Sequence, residues 1–170
     1  ITKYDPLLVN VEERITAPTG QHKLGTDEMG RDVLSRMFFG VRASMIIGVS
    51  VAIISTMAGI IVGVIAGYYN KVDNVLMRIL DGVMAFPSII IAIALAGILG
   101  TGKINIIIAL SVAYFPTMAR IVRSSVLSLR DIEYVQSIKV LGASDVYIII
   151  HHIIPNIISP IIVQMTFIFA

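Results

Sequence analysis

The sequence contains no cysteine. That excludes a disulfide framework, a thiolate nucleophile and any metal site built on thiolates. Charge is scarce as well. Asp, Glu, Lys and Arg make up 14% of the 170 residues, against about a quarter in an ordinary soluble domain. The formal net charge of +2 is too small to argue for nucleic acid, and no basic stripe interleaved with aromatics is present. What fills the chain is apolar: 56% hydrophobic residues and a mean hydropathy of +0.90. That balance makes a bilayer the expected solvent. No signal peptide is visible. The chain opens on Ile1 and closes inside the apolar run 161–170, so both ends read as cut from something longer.

Residues 43–70 carry no charge over 28 positions, and a transmembrane helix needs about 20. Further spans are expected at 82–102 and 104–122, with Arg120 and Arg123 snorkelling to the interface. A fourth opens at 157–170. The fold class is therefore an all-α, polytopic bundle of transmembrane helices. Basic residues in short loops orient such a bundle. Lys71 and Arg78 lie between the first two spans. Arg120 at the end of the third span and Arg123, Arg130 and Lys139 beyond it form the other group, while the intervening hairpin offers only Lys103. The first two groups share a side by parity, so that side is expected to be cytoplasmic. Residues 1–42 then fall on the extracytoplasmic side. Their six basic residues conflict with the simple rule, and a helix upstream of Ile1 would resolve it.

Within the spans, Ser55, Gly59, Gly63 and Gly67 recur every four residues and make a helix face with no bulk, against which another backbone can pack. Ala85, Ser88, Ala92 and Ala96 repeat the device. Pro87 and Pro116 are candidate kinks, either static or acting as hinges near a gate. Before the first span, Pro6, Pro18 and Gly20 predict irregular chain. A short surface helix is then expected, capped by Thr26 or Asp27. It would present Val33, Leu34, Met37 and Phe38 on one face, pair Asp32 with Arg36, and end where the chain turns inward at Arg42.

Several tempting motifs fail. Gly97-Ile-Leu-Gly-Thr-Gly-Lys103 imitates a phosphate-binding loop, but Ile104 stands where a magnesium-holding Ser or Thr is needed. His151 and His152 are adjacent, so on a helix they diverge rather than share a metal. Asp81 is expected to pair with Arg78 at the interface. No catalytic Ser/His/Asp set is recognisable, so an enzyme is disfavoured.

The polar stretch between the third and fourth spans is the most informative. A helix-like run, 130–141, leads to Gly142-Ala143-Ser144-Asp145, and a second amphipathic run follows as far as Pro155. Gly142 permits a tight turn, and Ser144 or Asp145 can cap the next helix. Pro155 would redirect the chain into the fourth span. An exposed helical elbow of this kind fits a groove in a soluble partner.

At these residues the sequence resembles the permease subunits of ABC importers. Their loop reads Glu-Ala-Ala, three residues, Gly, nine residues, Ile-x-Leu-Pro. Gly142 and Pro155 match, with Ile154 for Leu, Gln136-Ser137-Ile138 for Glu-Ala-Ala, and His152 for Ile. Leu24-Gly-Thr-Asp-Glu-Met-Gly-Arg-Asp-Val-Leu-Ser-Arg36 extends the likeness to the dipeptide/oligopeptide/nickel permease family, in its C-type subunit. So do Ala66-Gly-Tyr-Tyr69, Phe86-Pro87, Leu127-Ser-Leu-Arg130, Glu133-Tyr-Val135, Leu141-Gly-Ala-Ser-Asp145 and Ile154-Pro-Asn156. The resemblance implies a type I ABC importer permease fold in the cell membrane, with one further helix before Ile1 and about two after Ala170. It implies a heterodimer with a second permease, two cytoplasmic ATPases that carry ATP and magnesium, and an extracytoplasmic solute-binding protein. This chain itself would bind no cofactor and catalyse nothing. The coupling loop would span about 123–155, with Glu133, Gln136, Ser137, Gly142, Ala143, Ser144, Asp145 and Pro155 at the ATPase contact. Peptides stand ahead of nickel as cargo, because no acidic or His cluster lies in the spans. The rivals are an ATP-independent secondary transporter, which needs mid-span charge, and a non-transporting membrane scaffold.

Overall fold

The computed structural model describes residues 4–170. It divides into two compact units, Ile1–Ile46 and Ile47–Ala170. The first unit is held by polar contacts. Among its described residues before Val33 it has one 3-10 turn, Val11–Glu13, and one isolated bridge, Thr26 to Asp32. The backbone N–H groups of Asn10, Ile15 and Thr26 donate to the carbonyls of Met29, Asp27 and Thr16 at 3.2, 3.1 and 3.1 Å. His22 is buried at the centre. Its Nδ1 lies 2.9 Å from Asp32 Oδ1 and its Nε2 3.3 Å from Glu13 Oε2.

Three expectations for this unit are corrected. The cap is Asp32, not Thr26 or Asp27: its Oδ2 accepts from the Ser35 amide at 2.7 Å. A carboxylate at that position satisfies one of the helix's orphan donors. Asp32 is thereby committed to Ser35 and His22, so Arg36 pairs instead with Asp27, which Arg31 also holds at 2.8 Å. There is also no separate surface helix ending at Arg42. A single helix, α1, runs Val33–Tyr68, because nothing in that stretch breaks the backbone hydrogen bonding. Its 36 residues extend for about 54 Å.

The second unit is built on five more helices. They are α2 (Asn70–Met84), α3 (Ser88–Leu99), α4 (Lys103–Arg130), α5 (Glu133–Val140) and α6 (Asp145–Phe169). Helices α1, α4 and α6 are each long and apolar enough to cross a membrane. The fold is all-α as expected, and the isolated bridge is the sole β feature among the described residues.

The expected bounds shift for identifiable reasons. The stretch 82–102 is not one rod. Gly82 to Met84 close α2, and Pro87 starts α3 as its N-cap after a bend of 83°. Proline lacks the N–H that a continuous helix would need there. The small-residue stripe is split accordingly, so that Ala92 is buried and Ala85 is exposed. Helix α4 runs past 122 to Arg130, with Pro116 buried inside it and no break. The fourth helix begins at Asp145, not 157. Pro155 lies within it, and the backbone accommodates it by a π turn, Ile149–Ile153, followed by a 3-10 turn, Ile154–Ile157. Such turns re-satisfy groups that a proline would orphan.

The glycine face of α1 meets α4 as its spacing predicts. A Cβ added at Gly63 would stand 2.5 Å from Ala119 O and 2.7 Å from Val122 Cβ; at Gly67 it would stand 2.7 Å from Val126 Cβ; at Gly59 it would strike the Met118 side chain. Ser55, the fourth member, is fully buried, and its hydroxyl donates to the Ser111 carbonyl at 3.3 Å. Backbones this close gain dispersion contact without needing any hydrophobic drive between helices.

Candidate functional site

The elbow grows from the end of α4. Arg130 is its last helical residue, Asp131 and Ile132 form the corner, and Glu133 opens α5. Val135 and Ile138 recur at helical spacing and turn inward. Val135 is 2% exposed and Ile138 packs partly buried against the same core. After Leu141 the chain reverses at Gly142, whose φ is +88°. No atom lies within 4 Å of where its Cβ would be, so glycine is needed for its backbone angle and not for space. Ser144 then caps α6, its hydroxyl accepting from the Tyr147 amide at 3.3 Å.

Three ties bind this elbow to the helices above it. The first is apolar. Val135, Ile148, Ile153 and Ile157 pack into one cluster with Val64 of α1 and Met118, Val122 and Val126 of α4. The second is cationic. Arg130 Nη1 donates to the Gly67 carbonyl at 2.8 Å and to Asn70 Oδ1 at 2.6 Å. It thus satisfies a carbonyl at the C-terminus of α1, where the helix dipole also favours positive charge. The third is a hydrogen bond from Tyr68 Oη to Asp145 Oδ1 at 2.8 Å. Lys139 sits 5.6 Å above the Tyr68 ring centroid, within cation–π range.

The loop residues singled out from sequence divide into three groups. Ala143, Ser144 and Asp145 serve the turn and its attachment. Glu133, Gln136 and Ser137 are exposed on α5. Gln136 Nε2 donates to the Arg130 carbonyl and Ser137 Oγ to the Glu133 carbonyl, each at 2.8 Å. Gly142 and Pro155 are exposed, at the turn and within α6. The tip is apolar: Val140 is 86% and Leu141 85% exposed. His151 and His152 both lie against Tyr147, with His152 5.6 Å from its ring centroid. His151 stacks on Tyr147 at 4.4 Å, and His152 meets Tyr134 edge-on at 6.2 Å. Among the described residues no group of three His, Asp or Glu side chains is placed to hold a metal ion.

Sequence reasoning missed the clamp between α2 and α4. Asp73, buried on α2, takes Arg123 through two contacts, one of them Nη2 to Oδ2 at 2.6 Å. Asp81 pairs with Arg120, not with Arg78 as expected. Asp81 and Arg78 are neighbours in α2, but the packing of α2 on α4 turns the acid toward the longer-range partner. The available signal was the recurrence of two acids, eight residues apart on one helix, opposite two arginines three apart on another.

Residues 55–170 match the family described as binding-protein-dependent transport system inner membrane component. The chain belongs to that family. A protein of Brucella suis biovar 1 (strain 1330), named as a peptide transport system permease protein, is 44% identical over all 170 residues and 57% of its own length. The dipeptide transport system permease protein of Alkalihalophilus pseudofirmus is 41% identical over 92% of this chain and 52% of its own length. The glutathione transport system permease protein of Pectobacterium atrosepticum is 39% identical over 86% and 49%. The chain therefore spans about half the length of the relatives it matches. As an inner membrane component it is a membrane protein of a transport family, and both the glycine face and the elbow fall inside the matched residues.

Proposed function

We propose that this chain is the core of the permease subunit of an ATP-driven importer, and that the elbow from Glu133 to Pro155 transmits the work of cytoplasmic ATPases to the helices. The observation that carries this reading is an apolar tip on an anchored base. Val140 and Leu141 stand almost fully exposed, while the residues beneath them are buried against α1 and α4. A polar stretch that presents apolar residues to water is a surface for a partner, and a short helical knob suits a groove. ATP and magnesium belong on that partner, with no cofactor on this chain. The positive-inside count over the short loops supports a cytoplasmic elbow, and parity then assigns residues 1–42 to the outside against their own six basic residues. A second permease and an extracytoplasmic binding protein complete the assembly.

In this reading nucleotide-driven closure of the ATPases displaces the tip. The ties through Val135, Arg130 and Asp145 carry that displacement into α1 and α4, which rock to alternate access to the path. Peptides are the proposed cargo, on the strength of relatives named for peptide, dipeptide and glutathione transport. None of these three is named for nickel. The bend between α2 and α3 is a feature that secondary transporters share. The charges beside it, Arg120 and Arg123, lie 17 and 20 residues beyond the start of α4, about one hydrocarbon thickness along it and not at mid-span, which favours the ATP-driven reading.

Gly142→Val in the assembled, reconstituted importer tests the proposal. A β-branched residue at φ +88° costs about 1–3 kcal/mol of backbone strain, while Asn tolerates that region better. Gly142→Val should insert normally yet lose most transport and substrate-stimulated ATP hydrolysis, and Gly142→Asn should lose less. Normal substrate-stimulated hydrolysis in Gly142→Val, or failure of the chain to co-purify with any ATPase, would sink the reading.

A further inference from the structure

Helix α2 turns its two acids toward α4, where Asp73 meets Arg123 and Asp81 meets Arg120. Its opposite side is apolar and uncovered. Val75 is 62% and Ile79 60% exposed, with Val72 beside them. Lys71, Val75 and Arg78 share a face by their spacing. Asn74, Val75, Arg78 and Ile79 line a shallow groove there. Among the described residues neither Lys71 nor Arg78 has an acidic partner within 4 Å.

Depth decides what covers this face. Arg120 and Arg123 lie 17 and 20 residues beyond Lys103 on α4. That places them about 26–30 Å along the helix from its start, one hydrocarbon thickness away. The ion pairs therefore hold α2 at the level of the second interface. The 83° bend sets α2 nearly crosswise to α3, so α2 lies close to the membrane plane. A helix at that depth and tilt, with aliphatics on its outer face and basic residues along their edge, has the pattern of an interfacial amphipathic helix.

We propose that α2 is an in-plane helix whose outer face, Val72, Val75 and Ile79, is seated in the acyl boundary of the bilayer, and that Lys71 and Arg78 bind the headgroups of anionic phospholipid. The occupant is lipid and not protein, because basic side chains without acids beside an aliphatic face complement an anionic surface. The proposal rests on the membrane placement of α3 and α4 and not on coupling to ATP, so either can fail without the other.

The absence of cysteine makes site-directed labelling of this chain clean. Val75→Cys and Ile79→Cys, each labelled with a bimane, are placed in the assembled permease complex in nanodiscs of phosphatidylcholine and phosphatidylglycerol. Leu80→Cys, on the buried side, is the control. Lipids carrying a nitroxide at acyl carbon 5 should quench Val75→Cys and Ile79→Cys at least about twofold more than lipids carrying it at carbon 12, since such helices sit only about 5–10 Å deep. Quenching as strong from carbon 12 means that α2 crosses the bilayer and overturns the proposal. Absence of quenching from either lipid means that water or a second permease covers the face, and overturns it equally. In native mass spectrometry, Lys71→Gln and Arg78→Gln should each lower the retention of phosphatidylglycerol relative to phosphatidylcholine about fivefold. Unchanged retention in both variants overturns the headgroup assignment.

Discussion

A carboxylate against each ring nitrogen of a histidine favours the protonated form, in which both nitrogens donate. His22 is in that position between Asp32 and Glu13. The hydrogen bond to Asp32 raises its pKa above 6.5 against the opposing effect of burial, and Glu13 adds to the rise. Burial pushes Asp32 up, but the bonds from His22 and the Ser35 amide outweigh it and hold the carboxyl below its ordinary 3.8. Asp27 is likewise desolvated, yet the amides of Arg31 and Met29 and the side chains of Arg31 and Arg36 outweigh this and hold it well below the usual carboxylate range. The sign follows from linkage. The contribution of His22 is complete below pH 6.5 and is lost as pH rises through its raised folded value. The contributions of Asp32 and Asp27 are complete above pH 3.8 and are lost as pH falls through their depressed values. Protection of the Ser35 amide in hydrogen exchange, corrected for intrinsic base catalysis, should therefore hold between those limits and decline on the alkaline side. His22→Gln should be less protected and should lack the alkaline decline. An unchanged decline in that variant would show that another group titrates.

Among the elements, the α1–α4 contact makes the sharpest contrast. Gly63→Ala places a methyl against the Ala119 carbonyl and the Val122 side chain, so two backbones must separate. Overpacking of this kind costs about 1–3 kcal/mol. Gly97→Ala in α3 meets nothing within 4 Å and should be neutral or stabilise by up to about 1 kcal/mol, since alanine is the better helix former. Thermal unfolding of the detergent-solubilised complex distinguishes the two, and equal midpoints would refute the close-packing account. This contact was legible in the sequence because a four-residue recurrence of small side chains depends on one helix alone. The break at Pro87 was legible for the same kind of local reason. The partner of Asp81 was not, because periodicity ranks neighbours on its own helix and says nothing of which face meets α4. Pro155 misled in a related way. A proline signals a lost hydrogen bond, but whether the helix ends or relaxes through a π turn depends on what supports it, here the buried Ile153 and Ile157. In the first unit, the His22 clasp escaped because it requires residues nine and ten apart to meet in irregular chain, whereas the Asp32 cap is local, three residues from Ser35, and was passed over for Thr26 and Asp27, which offer the same chemistry earlier in the chain.

For the molecule as a machine, the question is how force at an exposed tip reaches apolar helices. The elbow has an apolar base and two polar ties, and the polar ties converge on the junction of α1 and α2, through Gly67 and Tyr68 at the end of α1 and Asn70 at the start of α2. Apolar packing resists separation but tolerates sliding, whereas a directed hydrogen bond to a charged acceptor fixes register. If the Tyr68–Asp145 bond sets the register between α1 and α6, its loss should uncouple without unfolding. Tyr68→Phe removes the donor while keeping the ring under Lys139. A bond to a charged group is worth about 1.5–3 kcal/mol, small beside the cluster that holds the elbow in place. Assembly with the partner subunits and basal ATP hydrolysis should then persist in Tyr68→Phe and in Asp145→Asn, while substrate-stimulated hydrolysis and transport fall in both. Because the two changes break one bond, the double variant should be little worse than either single one. Strictly additive losses in that cycle would mean that the two residues act separately, and that Arg130 and the apolar cluster alone carry the elbow's motion into α1.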